Sequence, residues 1–109
     1  MPTVYKVLGQ SAPAATTATT LYTVPASTSA VVSSIVIANR DAASATYRIA
    51  IRPAGAALAN QHYVAYDCSV GANDTTALTL GLTLATTDVV TVYASTANLT
   101  FNAYGSEIS

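Results

Sequence analysis

The segment Thr46–Arg52 alternates strictly, with Tyr47, Ile49 and Ile51 on one face and Arg48, Ala50 and Arg52 on the other. That period of two is the mark of a half-buried β-strand, and a helix cannot use it. The same patterning, with β-branched residues and turn punctuation, recurs about every 8 to 12 residues along the chain. Alanine is abundant and would favour helix, but it is interleaved with Thr, Val and Ser, which would not. No window carries a capped helical stripe. The pattern predicts an all-β chain: a single antiparallel β-sandwich, jelly-roll-like, of about eight strands.

The expected strands can be placed along the sequence. Thr3 to Leu8 is the first, at an edge or against a neighbouring subunit. Ser11–Thr19 (SAPAATTAT) is a loose Ala/Thr-rich loop, with Pro13 unable to donate to a ladder. Leu21–Val24 is short and stopped by Pro25. Ala30–Ala38 is apolar on both faces around Ile35, Val36 and Ile37, which places it centrally in its sheet. An Ala-rich loop runs from Pro53 to Gln61, followed by a strand over His62–Tyr66. Gly71–Asp74 is a turn. Thr75–Leu80 and Leu82–Leu84 flank Gly81, and Thr87–Asp88 turns the chain into Val89–Ser95. Val90, Val92 and Ala94 face inward there, as do Leu99, Phe101 and Ala103 in Asn98–Tyr104. With no linker or repeat, residues 1–109 read as one domain.

Charge is what the chain lacks. Charged residues are 8% of it and hydrophobic ones 51%, against roughly a quarter charged in an average domain. Its surface is wetted by hydroxyls and amides, as suits a building block partly covered by neighbours. Lys6, Arg40, Arg48 and Arg52 are too few and too scattered for a nucleic-acid surface. No apolar run approaches the roughly 20 residues of a membrane span, and no charged-then-apolar secretory leader is expected at the N-terminus. Cys68 stands alone, which forbids an intrachain disulfide and fits a reducing compartment.

Residues for catalysis are scarce. His62 is the only histidine, and with Asp67 and a serine it could sketch a triad, but no nucleophile elbow is present. His62 and Asp67 are also expected on opposite faces of one strand. One His and one Cys cannot build a zinc site, and Asn73-Asp74 lacks the rest of a calcium loop. The reading is not an enzyme, with no cofactor and no metal. Partner or subunit contacts are the remaining role for side chains. Arg48 and Arg52 share a strand face and could meet acidic groups on a partner or simply solvate the sheet. Tyr93 and Tyr104 fall opposite the inward residues, so they point outward, and Tyr5 sits on the first strand. Tyrosine suits interfaces, where its ring is buried and its hydroxyl paired. Tyr63 and Tyr66 are opposite in phase and are not expected on one face.

Several stretches carry a family likeness: Thr20–Ala26 (TLYTVPA), Ala30–Asn39 (AVVSSIVIAN), Tyr63–Asp67 (YVAYD), Asp88–Ser95 (DVVTVYAS) and Phe101–Gly105 (FNAYG). Together they resemble the small β-sandwich virion proteins of tailed bacteriophages, a group that includes capsid cement (decoration) proteins and neck or tail components. Ser27 stands where glycine commonly follows the Val-Pro-Ala turn in that group. The resemblance implies no catalytic residues. It implies a virion protein made in the host cytoplasm, a homo-trimer that docks on the major capsid protein and bridges shell subunits. A neck, tail or baseplate adaptor is the alternative, and a receptor- or glycan-binding module is the alternative of another class.

Overall fold

The structure, a computed structural model, describes residues 2–109. Met1, the first residue of the expected 1–109 domain, lies outside the described residues. Eight strands follow one another: β1 (Thr3–Ser11), β2 (Thr19–Thr23), β3 (Ser29–Asn39), β4 (Ala45–Arg52), β5 (Tyr63–Val70), β6 (Thr75–Leu84), β7 (Val89–Ala94) and β8 (Leu99–Ile108). Two short 3-10 turns, Pro53–Gly55 and Asn60–His62, lie between β4 and β5. The strands form two four-stranded antiparallel sheets, ordered β1-β8-β3-β6 and β2-β7-β4-β5. Chain order therefore nests: β1 lies beside β8, β2 beside β7, β3 beside β6 and β4 beside β5. That is the strand order of a jelly-roll sandwich, the arrangement the alternation predicts.

The core lies between the sheets. Val32, Ile35, Ile37, Leu99 and Phe101 face Ile49, Val90 and Val92 across it, all fully buried. Tyr47 meets Phe101 edge-on, with centroids 6.4 Å apart at 74°, the geometry that sets a ring's positive edge against its neighbour's negative face. β3 is internal, between β8 and β6, as its apolar faces require. Three strands run at least three residues further than expected: β1 continues past Leu8 to Ser11, β5 past Tyr66 to Val70, and β8 past Tyr104 to Ile108. Cys68 is therefore mid-strand and half-buried, opposite Tyr47. The segment between β1 and β2 is held at its middle, where the Thr16 N–H donates to the Ala94 carbonyl at 2.8 Å. Ser27 takes φ 56°, so its turn keeps the left-handed conformation glycine would favour.

A line of register shifts crosses the first sheet, between Val7 and Gly9 in β1 and between Val32 and Ser34 in β3. Each inserts a residue, bends the strand and increases its twist. At this line backbones close on one another. A Cβ on Gly105 would fall on the Val31 carbonyl oxygen, and one on Gly9 would fall on the Leu21 carbonyl oxygen. The shift in β2 has a packing use: with Leu21 extra, neighbours Leu21 and Tyr22 are both buried.

Above the bend, a short polar chain ties the sheets together. The Tyr22 hydroxyl donates to Glu107 Oε2 at 2.6 Å, and Lys6 Nζ donates to Oε1 at 3.0 Å. The Tyr22 bond first, then the Lys6 bond, holds the Glu107 carboxyl below its ordinary value. Burial first, then the Glu107 bond, pushes the Tyr22 hydroxyl well above its ordinary value. At one end of the sandwich, buried Asn39 donates from Nδ2 to the carbonyls of Ala43 (2.9 Å) and Gly71 (3.1 Å) and accepts from the Asp41 N–H at 2.9 Å.

Gly105→Ala is expected to lower stability by roughly 1–3 kcal/mol or more, because the new methyl must displace backbone. Gly71→Ala, whose Cβ would meet nothing closer than 3.6 Å, should stay within about 0.5 kcal/mol in the same urea titration. Because the Glu107 carboxyl is depressed in the folded state, its contribution is complete above the ordinary glutamate value of 4.5. That contribution is lost as pH falls through the lower folded value. Melting temperatures across that acid range should drop more for the native chain than for Glu107→Gln, whose profile should be flatter.

Candidate functional site

The densest cluster of polar and aromatic side chains lies on the outer face of the β2-β7-β4-β5 sheet and centres on Arg48. Tyr93 of β7 is the direct cross-strand partner of Arg48. On the other side β5 is bulged: Tyr47 pairs with Cys68 and Ile49 pairs with Ala65, so Tyr66 and Asp67 together oppose Arg48. Asp67 takes φ 51° there, a conformation that Asp tolerates better than most residues. The bulge thus delivers both a ring and a carboxylate to one guanidinium. Arg48 Nε donates to Asp67 Oδ1 at 2.7 Å and its terminal nitrogen donates to Oδ2 at 3.3 Å. The guanidinium carbon lies 4.2 Å from the Tyr66 ring centroid and 4.4 Å from that of Tyr93. Such a planar cation between two ring faces, with its fork on a carboxylate, is an arrangement lysine cannot reproduce. The Asp67 bonds hold Arg48 protonated, above its already high ordinary value.

A second shift, between Ile49 and Ala50, carries β5 from Ala65 to Tyr63. It reverses the phase of the strand, so the expectation that Tyr63 and Tyr66 lie on different faces is corrected. Their rings meet edge-to-face, 4.9 Å apart. Beside this cluster is a cavity of about 260 Å³, floored by Ala50 and Thr91 and walled by Thr16, Leu58, Tyr63 and Tyr93. The loop between β4 and β5 roofs it, which is why Ala50 is only 1% exposed although it belongs to the outer face. Arg52 fixes that loop. Its Nε donates to the Ala56 carbonyl at 2.7 Å and a terminal nitrogen to the Gly55 carbonyl at 3.0 Å.

The five residues singled out from the sequence therefore divide. Arg48, Arg52 and Tyr93 share the outer face of one sheet. Tyr5 and Tyr104 share the outer face of the other, where with Val7, Val31 and Ser33 they line an open cleft of about 570 Å³. Tyr5 is 84% exposed and Tyr104 37%. His62 lies on a 3-10 turn and not on the strand expected for it, and its Nδ1 accepts the Ala59 N–H at 3.1 Å. Tyr66, Asp67 and Tyr63 are the members of the cluster that alternation does not reveal, because the bulges that gather them contain no glycine; Leu58 reaches the cavity from the loop between β4 and β5.

No protein-family model matches the chain, and no curated protein matches it.

The stack carries a consequence for local dynamics. Arg48→Ala removes the group that both bulge residues hold, so amide hydrogen exchange should accelerate across Val64–Asp67 of β5. Protection in β7 and β8 should change little. Equal acceleration in all three strands would show that the stack supports the whole fold and not the bulge.

Proposed function

We propose that this chain is a structural virion protein of a tailed phage, a capsid cement protein that binds the outer shell and bridges subunits of the major capsid protein. One observation supports this reading above the others: every charged side chain is engaged within its own chain. The sequence has 4 Lys and Arg and 5 Asp and Glu. Lys6 pairs with Glu107, and Arg48 with Asp67. Arg40 donates to the Ala97 carbonyl and Arg52 to its loop. Asp41 receives the Asn98 amide, Asp74 the Thr75 N–H, and Asp88 the N–H groups of both Ala54 and Ala85. The remaining surface is hydroxyl, amide and apolar, with Tyr5, Val7 and Tyr104 gathered at the cleft of the first sheet and Val4 exposed on the same strand as Tyr5.

Such a surface docks by area and shape, and its contacts are insensitive to salt. Binding only the assembled shell stabilises that state by mass action. A self-associating sandwich seated where shell subunits meet would bridge each boundary it covers. A neck, tail or baseplate adaptor would use the same surface at another place on the particle. The cavity beside the Tyr–Arg–Tyr stack favours a second reading, a glycan- or receptor-binding module, because aromatic walls and the hydroxyls of Thr16 and Thr91 suit a sugar ring.

A tagged copy seen by electron microscopy on intact particles should spread over the head. Shells stripped of the protein should lose thermal and osmotic resistance and regain it on re-addition. Label at the neck or tail would select the adaptor. Absence of label from particles, with binding on a glycan array, would select the module.

A further inference from the structure

The sandwich has four edge strands, and two of them are guarded along their length. β2 is only 5 residues long and is interrupted at Leu21. β5 carries two register shifts and the left-handed Asp67. β6 is bent at Gly81, φ 60°, and its unbroken run Thr75–Thr79 presents threonine and alanine, with Leu78 half-buried. Short length and bulges are the devices that keep sheet edges from pairing with other chains. β1 differs. Its second half is shielded where Gly9 lies against the Leu21 backbone. Its first half, Thr3–Val7, runs in unbroken register along β8 and is exposed at every residue. Among the described residues, no strand lies on its other side. Lysine is a further common guard of an edge, but Lys6 is drawn to Glu107 of its own chain. The side chains left on this edge are Val4, Tyr5 and Val7, all exposed.

We propose that Thr3–Val7 is a self-pairing edge, and that its partner is the same segment of a second copy, added antiparallel about a two-fold axis. An open backbone edge is completed by another open edge, and among the described residues this is the open run that carries three exposed large apolar side chains, Val4, Tyr5 and Val7. Two copies meet there without like-charge repulsion, because each Lys6 is already neutralised by Glu107. The pairing fuses two β1-β8-β3-β6 sheets into one continuous eight-stranded sheet. Directly opposed residues in such a pair share a face, so Tyr5 and Val7 of both copies line the outer side and Val4 of both lines the inner side. Pairing of like edges about a two-fold closes at two copies. The unit is then a dimer, in place of the trimer the resemblance implies. This identifies the self-association invoked above, yet it is tested on the purified chain and does not depend on any virion.

Sedimentation velocity over a dilution series should give twice the 11.1 kDa chain mass, falling to one chain on dilution. The outward-facing amides of Thr3–Val7 should be protected from exchange in the dimer and lose that protection with it. Tyr5→Lys, at a side chain that is 84% exposed, should raise the dimer dissociation constant roughly tenfold or more while leaving the melting temperature of the monomer unchanged. Ala72→Lys, an equal charge change on an exposed turn between β5 and β6, should leave dimerisation unaltered. A chain that stays monomeric at every concentration, one that forms trimers, or a dimer with unprotected Thr3–Val7 amides would overturn the proposal. Wide loss of the cement reading, with the dimer intact, would leave it standing.

Discussion

The close approach of backbones at Gly105 and Gly9 sets the shape of this sandwich. At both places a carbonyl oxygen occupies the space a side chain would need, and β1 and β3, each with an extra residue beside these positions, bend there. Below the bend, the first sheet lies over the second and supplies Phe101, Leu99 and Ile35 to the core. Beyond it, Thr3–Val7 and the last residues of β8 leave the shelter of the core. Only the Tyr22–Glu107–Lys6 chain ties them back to the second sheet. One constraint on two glycines thus separates the packed core from an exposed β1–β8 edge, while Ala30 and Val32 of β3 stay buried beside it.

The second sheet uses irregularity for another purpose. Without the extra residues in β5, strict alternation would place Tyr66 and Asp67 on opposite faces, and Arg48 could engage only one of them. The bulge brings both to the same guanidinium. The same economy runs through the other charges, each of which fastens a turn or joins two strands. Asp88 binds one loop on each side of it, and Arg52 holds the roof of the cavity. In a chain so poor in charge, the ionic groups serve as internal ties, and the outer surface is left to tyrosine, threonine and valine.

The sandwich of about eight strands and its core are legible because alternation is a direct record of which face is buried. Val90, Val92 and Ala94, and Leu99, Phe101 and Ala103, are inward as their spacing demands. The bulges were not legible. Leu8, Leu21 and Ser33 are ordinary strand residues, and nothing in their type announces that they lack a partner. Each slip reverses the faces beyond it, so Tyr63 and Tyr66 were assigned to different sides and the Arg48 cluster stayed hidden. The ends of β5 and β8 were missed for a related reason. Cys68–Ser69 and Gly105–Glu107 are paired but at most half-covered, and a partly covered run of small or polar residues reads like a loop.

The nesting of the strands also governs when the fold can form. β8 lies between β1 and β3, so the first sheet has a gap at its centre until the final tenth of the sequence arrives. A chain emerging from a ribosome can build the β4–β5 hairpin early, but β1 has no neighbour in its own sheet until Leu99–Ile108 has been made. The sandwich therefore closes only once β8 is available, and β1 is the strand that waits longest with both edges open.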